Sequence, residues 1–312
     1  MFLICGEALY DVFIERETPT GLLLDARIGG SPYNVAVGLA RLGQRAGLLT
    51  GLSSDALGDR LAAAMQAEGV ETRYLARKPE LTTLALVGLD PAGQARYSFY
   101  SLGAADRAVT AADLPGLEGI ACIHFGSYSL VTEPTGTAFL ALAERAAPRA
   151  APTLVSLDPN LRLAISPDLA LWRARVEAFL ARAHLVKASE EDLAALYPGR
   201  PAEDSARDWA GRGPSLVVVT RGAEGAFAVS PAGELRVPGR AVEVVDTVGA
   251  GDTFQAGLLA ALAEMGRATP QGLAALTADE TRRALAFATG AAAITCTRRG
   301  ADLPRRAELP TV

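Results

Sequence analysis

The stretch DTVGAGDTFQAG occupies residues 246–257, directly after the apolar run VEVV at 242–245. Its small residues Gly249, Ala250 and Gly251 let main chain come close to a ligand. Phe254, Leu258, Leu259, Leu262 and Met265 then recur at the spacing of one helical face. A strand at 242–245, a small-residue turn and a helix are therefore predicted, with Asp252 at the mouth of the helix. Amides at a helix N-terminus point toward an anion and are assisted by the helix dipole. An acid in a first turn is also an ordinary capping residue.

The same strand-then-helix unit recurs along the chain. FLIC (2–5) precedes NVAVGLARLG, and AGLLT (46–50) precedes DALGDRLAAAMQAEG; IACIHF (120–125), TLVSLD (153–158), HLVKA (184–188) and SLVVVT (215–220) follow. Such alternation predicts an α/β fold, a three-layer αβα sandwich around a mostly parallel, Rossmann-like sheet, with ligands at the carboxyl ends of the strands. Two stretches break the rhythm: DVFIE with GLLLDARI, and TTLALVGLD with ARYSFY, the second pair turning at Asp90, Pro91, Ala92 and Gly93. These hairpins are expected to form a small sheet inserted at about 11–28 and 82–100 into a single domain spanning 1–312. The Ala-rich 138–151 stretch reads as a helix.

With 312 residues, 50% of them hydrophobic, the chain has material for a large core. A formal charge of -5 and 30 dispersed basic residues give no electrostatic stripe for nucleic acid or an anionic membrane, so a small-molecule partner is expected. Cys5, Cys122 and Cys296 form no CxxC pair and read as buried, inert thiols in a reducing compartment. The N-terminus has no basic n-region, and no apolar run approaches the roughly 18 residues of a membrane span, so a cytoplasmic protein is expected. The only lysines are Lys78 and Lys187, which removes GxxxxGK[ST]; GAGDTF places Phe254 where a dinucleotide fingerprint needs its third glycine. His124 and His184 stand apart, against a zinc or Ser-His-Asp site.

Two further segments carry chemistry. In GGSPYNVAVGLARLG (29–43), the paired glycines open space beside the backbone, Ser-Pro reads as N-cap and N1 of a helix, and the Asn34 amide can donate and accept toward a polyhydroxylated substrate. In GEALYD (6–11), Asp11 is carried to a strand end, where a carboxylate can accept bonds from two vicinal hydroxyls or serve a turn.

The GG-x3-N element near the start and DTVGAGD near the end, in this order and about 200 residues apart, resemble the ribokinase-like (PfkB) sugar kinase family. DPNLR (158–162), VKASEEDL (186–193), VVVTRGAEGAF (217–227) and TRRGA (297–301) match its intervening and C-terminal elements. The wording GGSPYNVAVGLARLG, RYSFYSLGAADRAVT and DPNLR is most similar to bacterial fructokinases. The resemblance implies an ATP-dependent, Mg²⁺-requiring kinase in which Asp252 takes the proton of a sugar hydroxyl and the amides of Gly249, Ala250 and Gly251 hold the transferring phosphate. It places Asp11, Gly30, Asn34, Phe99 and Arg162 on the sugar, and Ser189, Thr220, Gly222 and Gly225 on the nucleotide. The hairpins become a lid that excludes water and offers a face for a homodimer.

The family's NxxE element is here Ser189-Glu190-Glu191-Asp192, which leaves Asp192 or Glu190 to organise the Mg²⁺ waters. A potassium site, where relatives have one, would fall at Asp246 and Gly300. The resemblance also admits a 2-keto-3-deoxygluconate kinase, which must bind a carboxylate. Ser101 stands where an arginine would serve that purpose, and Arg96, Arg107 and Arg162 remain as substitutes. A non-catalytic sugar or nucleotide sensor of the same fold is a further alternative, against which the intact Asp252 argues.

Overall fold

The computed structural model describes residues 1–89, 95–148 and 152–312, with backbone alone at 89 and 95–97. In chain order the elements begin with β1 (Phe2–Cys5), β2 (Leu9–Thr18), β3 (Gly21–Gly29), α1 (Ser31–Arg41), β4 (Ala46–Ser53), α2 (Ala56–Ala67), β5 (Leu75–Lys78), β6 (Leu84–Leu89) and β7 (Ala95–Tyr100). They continue with β8 (Cys122–Gly126), α3 (Thr135–Ala146), β9 (Leu154–Asp158), α4 (Leu169–Leu180), β10 (Leu185–Ser189), α5 (Glu190–Leu196), α6 (Ala202–Ala210) and β11 (Leu216–Thr220). The last are β12 (Ala226–Ser230), β13 (Gly233–Val237), α7 (Ala250–Glu264), α8 (Pro270–Ala274) and α9 (Ala278–Cys296).

Nine strands form one sheet in the order β13-β12-β11-β10-β9-β8-β1-β4-β5, parallel from β11 to β5 and antiparallel at β12 and β13. Strands β1, β4, β8 and β9 are buried at every residue, so their sequences are continuous apolar runs instead of alternating ones. Alternate side chains still part company: Phe2 and Ile4 enter one core, Leu3 and Cys5 the other. The layered α/β architecture expected from the sequence is present.

VEVV at 242–245 is not a strand. Its neighbours are the end of α9, not a sheet edge: the amides of Val245 and Asp246 both donate to the Cys296 carbonyl, and Val244 and Val245 are exposed. With no ladder partner, extended β-prone sequence remains a loop. The helix after GGSPYN also starts earlier than expected. Gly30 is its N-cap, so Ser31 and Pro32 occupy its first two positions and Ser31 does not cap it.

A second sheet has the order β3-β2-β6-β7, with β2 and β6 parallel at its centre and antiparallel hairpins on either side. The turn expected at Asp90 to Gly93, the Arg96 and Tyr97 side chains and the end of the Ala-rich stretch at 149–151 lie outside the described residues. The root of this sheet is tied to the main body by Asp55. Its carboxylate caps α2 through the Gly58 amide at 2.7 Å and accepts from the amide and hydroxyl of Thr82, at 3.0 and 2.8 Å.

Helices α1 and α7 cross closely, because a Cβ on Gly38 would stand 2.8 Å from that of Ala256. That crossing brings two N-terminal turns together.

Asp55→Ala removes a helix cap and the Thr82 tie at once. It should lower unfolding free energy by about 2 kcal/mol, the upper end for a lost cap, with the midpoint and slope read in urea titration.

Candidate active site

The N-terminal turns of α1 and α7 meet at Asp252. Ser31 Oγ donates to Asp252 Oδ1 at 2.6 Å and Asn34 Nδ2 donates to Oδ2 at 2.8 Å, so each oxygen keeps a free acceptor direction. Asp252 is 7% exposed and faces a cavity of about 490 Å³. Gly249, in the left-handed region with φ 77, makes the turn; a methyl there would stand 2.6 Å from the Ala301 Cβ. The Ala250 amide donates to the Thr247 carbonyl at 3.2 Å, and Ala250 does not line the cavity. Among the described residues, the unpaired amides of this turn are those of Gly249, Gly251 and Asp252, so the expected trio is shifted by one member.

The same cavity gathers Asp11, Gly30, Asn34, Phe99 and Arg162 with Gly249 and Gly251. Asp11 lies across Gly29, where a Cβ would come within 2.3 Å of its Oδ2; the first glycine of the pair makes room for this carboxylate. Burial pushes Asp11 up to about 6, partly offset by the nearby Arg162. Arg162 is exposed and donates to the Asn160 side chain at 2.6 Å. Arg107 is held by Ser101 at 3.2 Å and does not line the cavity.

Ser189, Thr220, Gly222 and Gly225 are not in this cavity but follow along the carboxyl edge at β10 and β11. Gly225 packs against the backbone of Val237, Pro238 and Gly239, a segment that borders a second cavity of about 470 Å³ lined by Arg236, Arg240, Arg282, Phe287 and Thr289; the buried Thr289 hydroxyl has no partner among the described residues. Ser189 caps α5 and accepts from the Asp192 amide at 3.0 Å. Asp192 accepts from the amides of Leu161, at 2.9 Å, and Ser189, at 3.4 Å, whereas Glu190 faces Arg221 at 3.4 Å. Asp246 accepts from the amides of Val248 and Gly300, at 3.1 and 2.8 Å, so the loops before and behind Gly249 are tied through one carboxylate.

Four residues were not assigned to the site from the sequence: Ser31, Glu7, Asp158 and Lys187. Ser31 gave no local signal for a partner 221 positions away. Glu7 lines the cavity, is 1% exposed and accepts from Ser129 Oγ at 2.6 Å; burial raises it to about 7. Asp158, the first residue of DPNLR, accepts from Lys187 at 2.9 Å through Oδ2, while its buried Oδ1 has no hydrogen-bond partner among the described residues. Burial raises Asp158 to about 6, against the attraction of Lys187. The rarity of lysine was the one available pointer to that pair.

The profile described as pfkB family carbohydrate kinase matches residues 6–308. A fructokinase of Rhizobium leguminosarum bv. trifolii is 40% identical over 264 residues, which cover 84% of this chain and 79% of that protein. The crystal structure of a Xylella fastidiosa fructokinase with bound ATP superposes with a TM-score of 0.90 at 29% identity, covering 98% of this chain and 96% of that one. A Vibrio cholerae O395 fructokinase with fructose, ADP and calcium ion gives 0.81 at 28% identity, with 96% and 94% covered.

Glu7 has a folded-state pKa above its ordinary value of 4.5, so its contribution to stability is complete below pH 4.5 and is lost as pH rises to about 7. Glu7→Gln keeps an acceptor for Ser129 without the ionisation. The variant should be more stable than the parent at pH 8 by on the order of 3 kcal/mol, with the gap closing by pH 5. Thermal melts across this range read the effect.

Proposed function

The chain belongs to the pfkB family of carbohydrate kinases, and from that premise we propose that it is a fructokinase, transferring the γ-phosphate of ATP to a hydroxyl of fructose. The observation that carries the proposal is the cavity wall. Asp252, oriented by Ser31 and Asn34, stands beside unpaired helix-terminal amides and faces the same space as Asp11. The acidic groups lining that space are Asp11, Asp252 and the buried Glu7, which is partly neutral at pH 7, against one guanidinium, Arg162. A neutral sugar suits such a wall, whereas the carboxylate of ketodeoxygluconate would meet repulsion.

Asp252 accepts the proton of the attacking hydroxyl. Asp11, Asn34 and the Gly30 backbone hold the remaining hydroxyls, and Phe99 covers the sugar from the lid. The amides of Gly249 and Gly251 receive the charge that spreads over the phosphoryl oxygens, where fixed dipoles stabilise most. Arg162 approaches from the rim. The nucleotide runs past Ser189, Thr220, Gly222 and Gly225, with its base in the second cavity, where the Thr289 hydroxyl awaits a polar partner.

The unpaired Asp158 Oδ1 and the Asp192 carboxylate give the hard oxygen donors that Mg²⁺ requires, and they fit better than Glu190, which Arg221 engages. When bound, Mg²⁺ would neutralise phosphate charge. A potassium ion would fall at the loop of Asp246 and Gly300, where the Gly300 amide donates to the Asp246 carboxylate at 2.8 Å.

The small sheet acts as a lid within one kinase domain. Ile14, Leu22, Leu23 and Leu24 are exposed on its hairpin, with β3 as an open edge. A second copy presenting the same edge would cover them symmetrically. Sedimentation should then give a dimer for the parent and a monomer for Leu22→Asp/Leu24→Asp; a monomeric parent would refute the lid interface.

Asp252→Asn should reduce kcat by about 10² to 10⁴, the usual cost of a lost general base, while fructose and ATP still bind. A coupled ADP-release assay across fructose, ribose, adenosine and ketodeoxygluconate should give fructose the highest kcat/KM. A tenfold preference for ketodeoxygluconate would replace this reading with the sugar-acid kinase.

A further inference from the structure

Beneath the first turn of α7 lies a charged group for which the site described above has no use. Lys187, on β10, is 4% exposed, and its ammonium donates to Asp158 at the end of the adjacent strand β9. Nζ also lies 3.3 Å from where a Cβ on Gly251 would stand, so it reaches the turn at a point that carries no side chain. Gly251 in turn lines the sugar cavity.

The placement is costly in two ways. An ammonium loses its hydration when buried, and a cation beside a helix N-terminus faces the positive end of the helix dipole. The ion pair with Asp158 at 2.9 Å offsets part of the first cost and none of the second. Core stability does not account for the arrangement, because apolar residues of similar volume commonly replace a buried ion pair without loss. An anion over the turn does: it turns the opposition between ammonium and helix terminus into joint attraction.

We propose that Lys187 belongs to the phosphoryl-binding apparatus, its ammonium, paired with Asp158 beneath Gly251, turning the positive end of that ion pair toward the amides of Gly249, Gly251 and Asp252. It acts as an electrostatic positioning residue: it forms no bond to the phosphoryl group and transfers no proton. The inference rests on the kinase reading for the identity of the anion.

Two measurements test it. Inorganic phosphate and orthovanadate, titrated without sugar or nucleotide, should raise the parent's melting temperature, and Lys187→Met should weaken the fitted affinity about tenfold or more. The second compares Asp158→Asn with Asp158→Asn/Lys187→Met, a pair in which neither variant leaves an unpaired Asp158 carboxylate. The double variant should lose a further factor of about 30 in kcat, with KM for fructose within about threefold. No anion-induced shift in the parent, or equal anion affinity with and without Lys187, would overturn the proposal; so would equal kcat in the second pair, which decides the matter if Lys187→Met alone does not fold. Anion affinity is read without turnover, so a parent that phosphorylates no sugar would count against the kinase reading and leave the Lys187 result to stand separately.

Discussion

The candidate active site hangs on one carboxylate shared between two helices. Asp252 is where α1 and α7 meet, and the hydrogen bonds from Ser31 and Asn34 fix the rotamer of a side chain that faces the cavity. Those bonds depend on the close crossing at Gly38 and Ala256. Misplacing either helix would leave three polar side chains buried without partners, which is a steep penalty compared with the net worth of a satisfied hydrogen bond. Geometry and stability therefore select the same arrangement.

Around this centre the protein concentrates charge that a simple core would avoid. Glu7, Asp106, Asp158 and Lys187 are all nearly inaccessible, and burial raises the three carboxyls. Asp106 accepts from Thr83 and from Tyr128, linking the root of the small sheet to a ring that lines the same cavity as Asp252. The polar layer extends beneath α7, where Gln255 donates to Ser156, which also contacts His124. Glu7 follows the end of β1 and Asp158 closes β9, the positions at which a parallel sheet presents side chains to a ligand, whereas Lys187, Ser156 and His124 lie within their strands and form the layer beneath.

The sequence made the sheet legible because buried parallel strands leave unmixed apolar runs, and FLIC, TLVSLD and SLVVVT could hardly be anything else. VEVV misled for the same reason: composition records β propensity, whereas a strand also needs a neighbour with free ladder groups. The glycine-bearing turns were legible because close backbone approach restricts residue type. Asn34 and Asp252 lie in the first turns of the helices that follow those glycines, whereas Asp11, read from the sequence as a strand-end or turn residue, lies inside β2, paired to Arg27 and Ala85. Ser31, Glu7 and Lys187 were harder, since their roles arise from contacts between distant segments and their local sequence fits a helix start, a turn and a strand equally well.

The parallel pairing at the heart of the small sheet carries a consequence for how the chain folds. Strand β2 meets β6, Tyr10 beside Leu84, only after α1, β4, α2 and β5 have been threaded through the main body between them. Each flanking hairpin can form locally within microseconds, but their union must wait for the loop between them to be closed by a folded scaffold. The small sheet is thus a late product of assembly, dependent on the larger one, and has no independent existence as a module that could be cut out or grafted elsewhere.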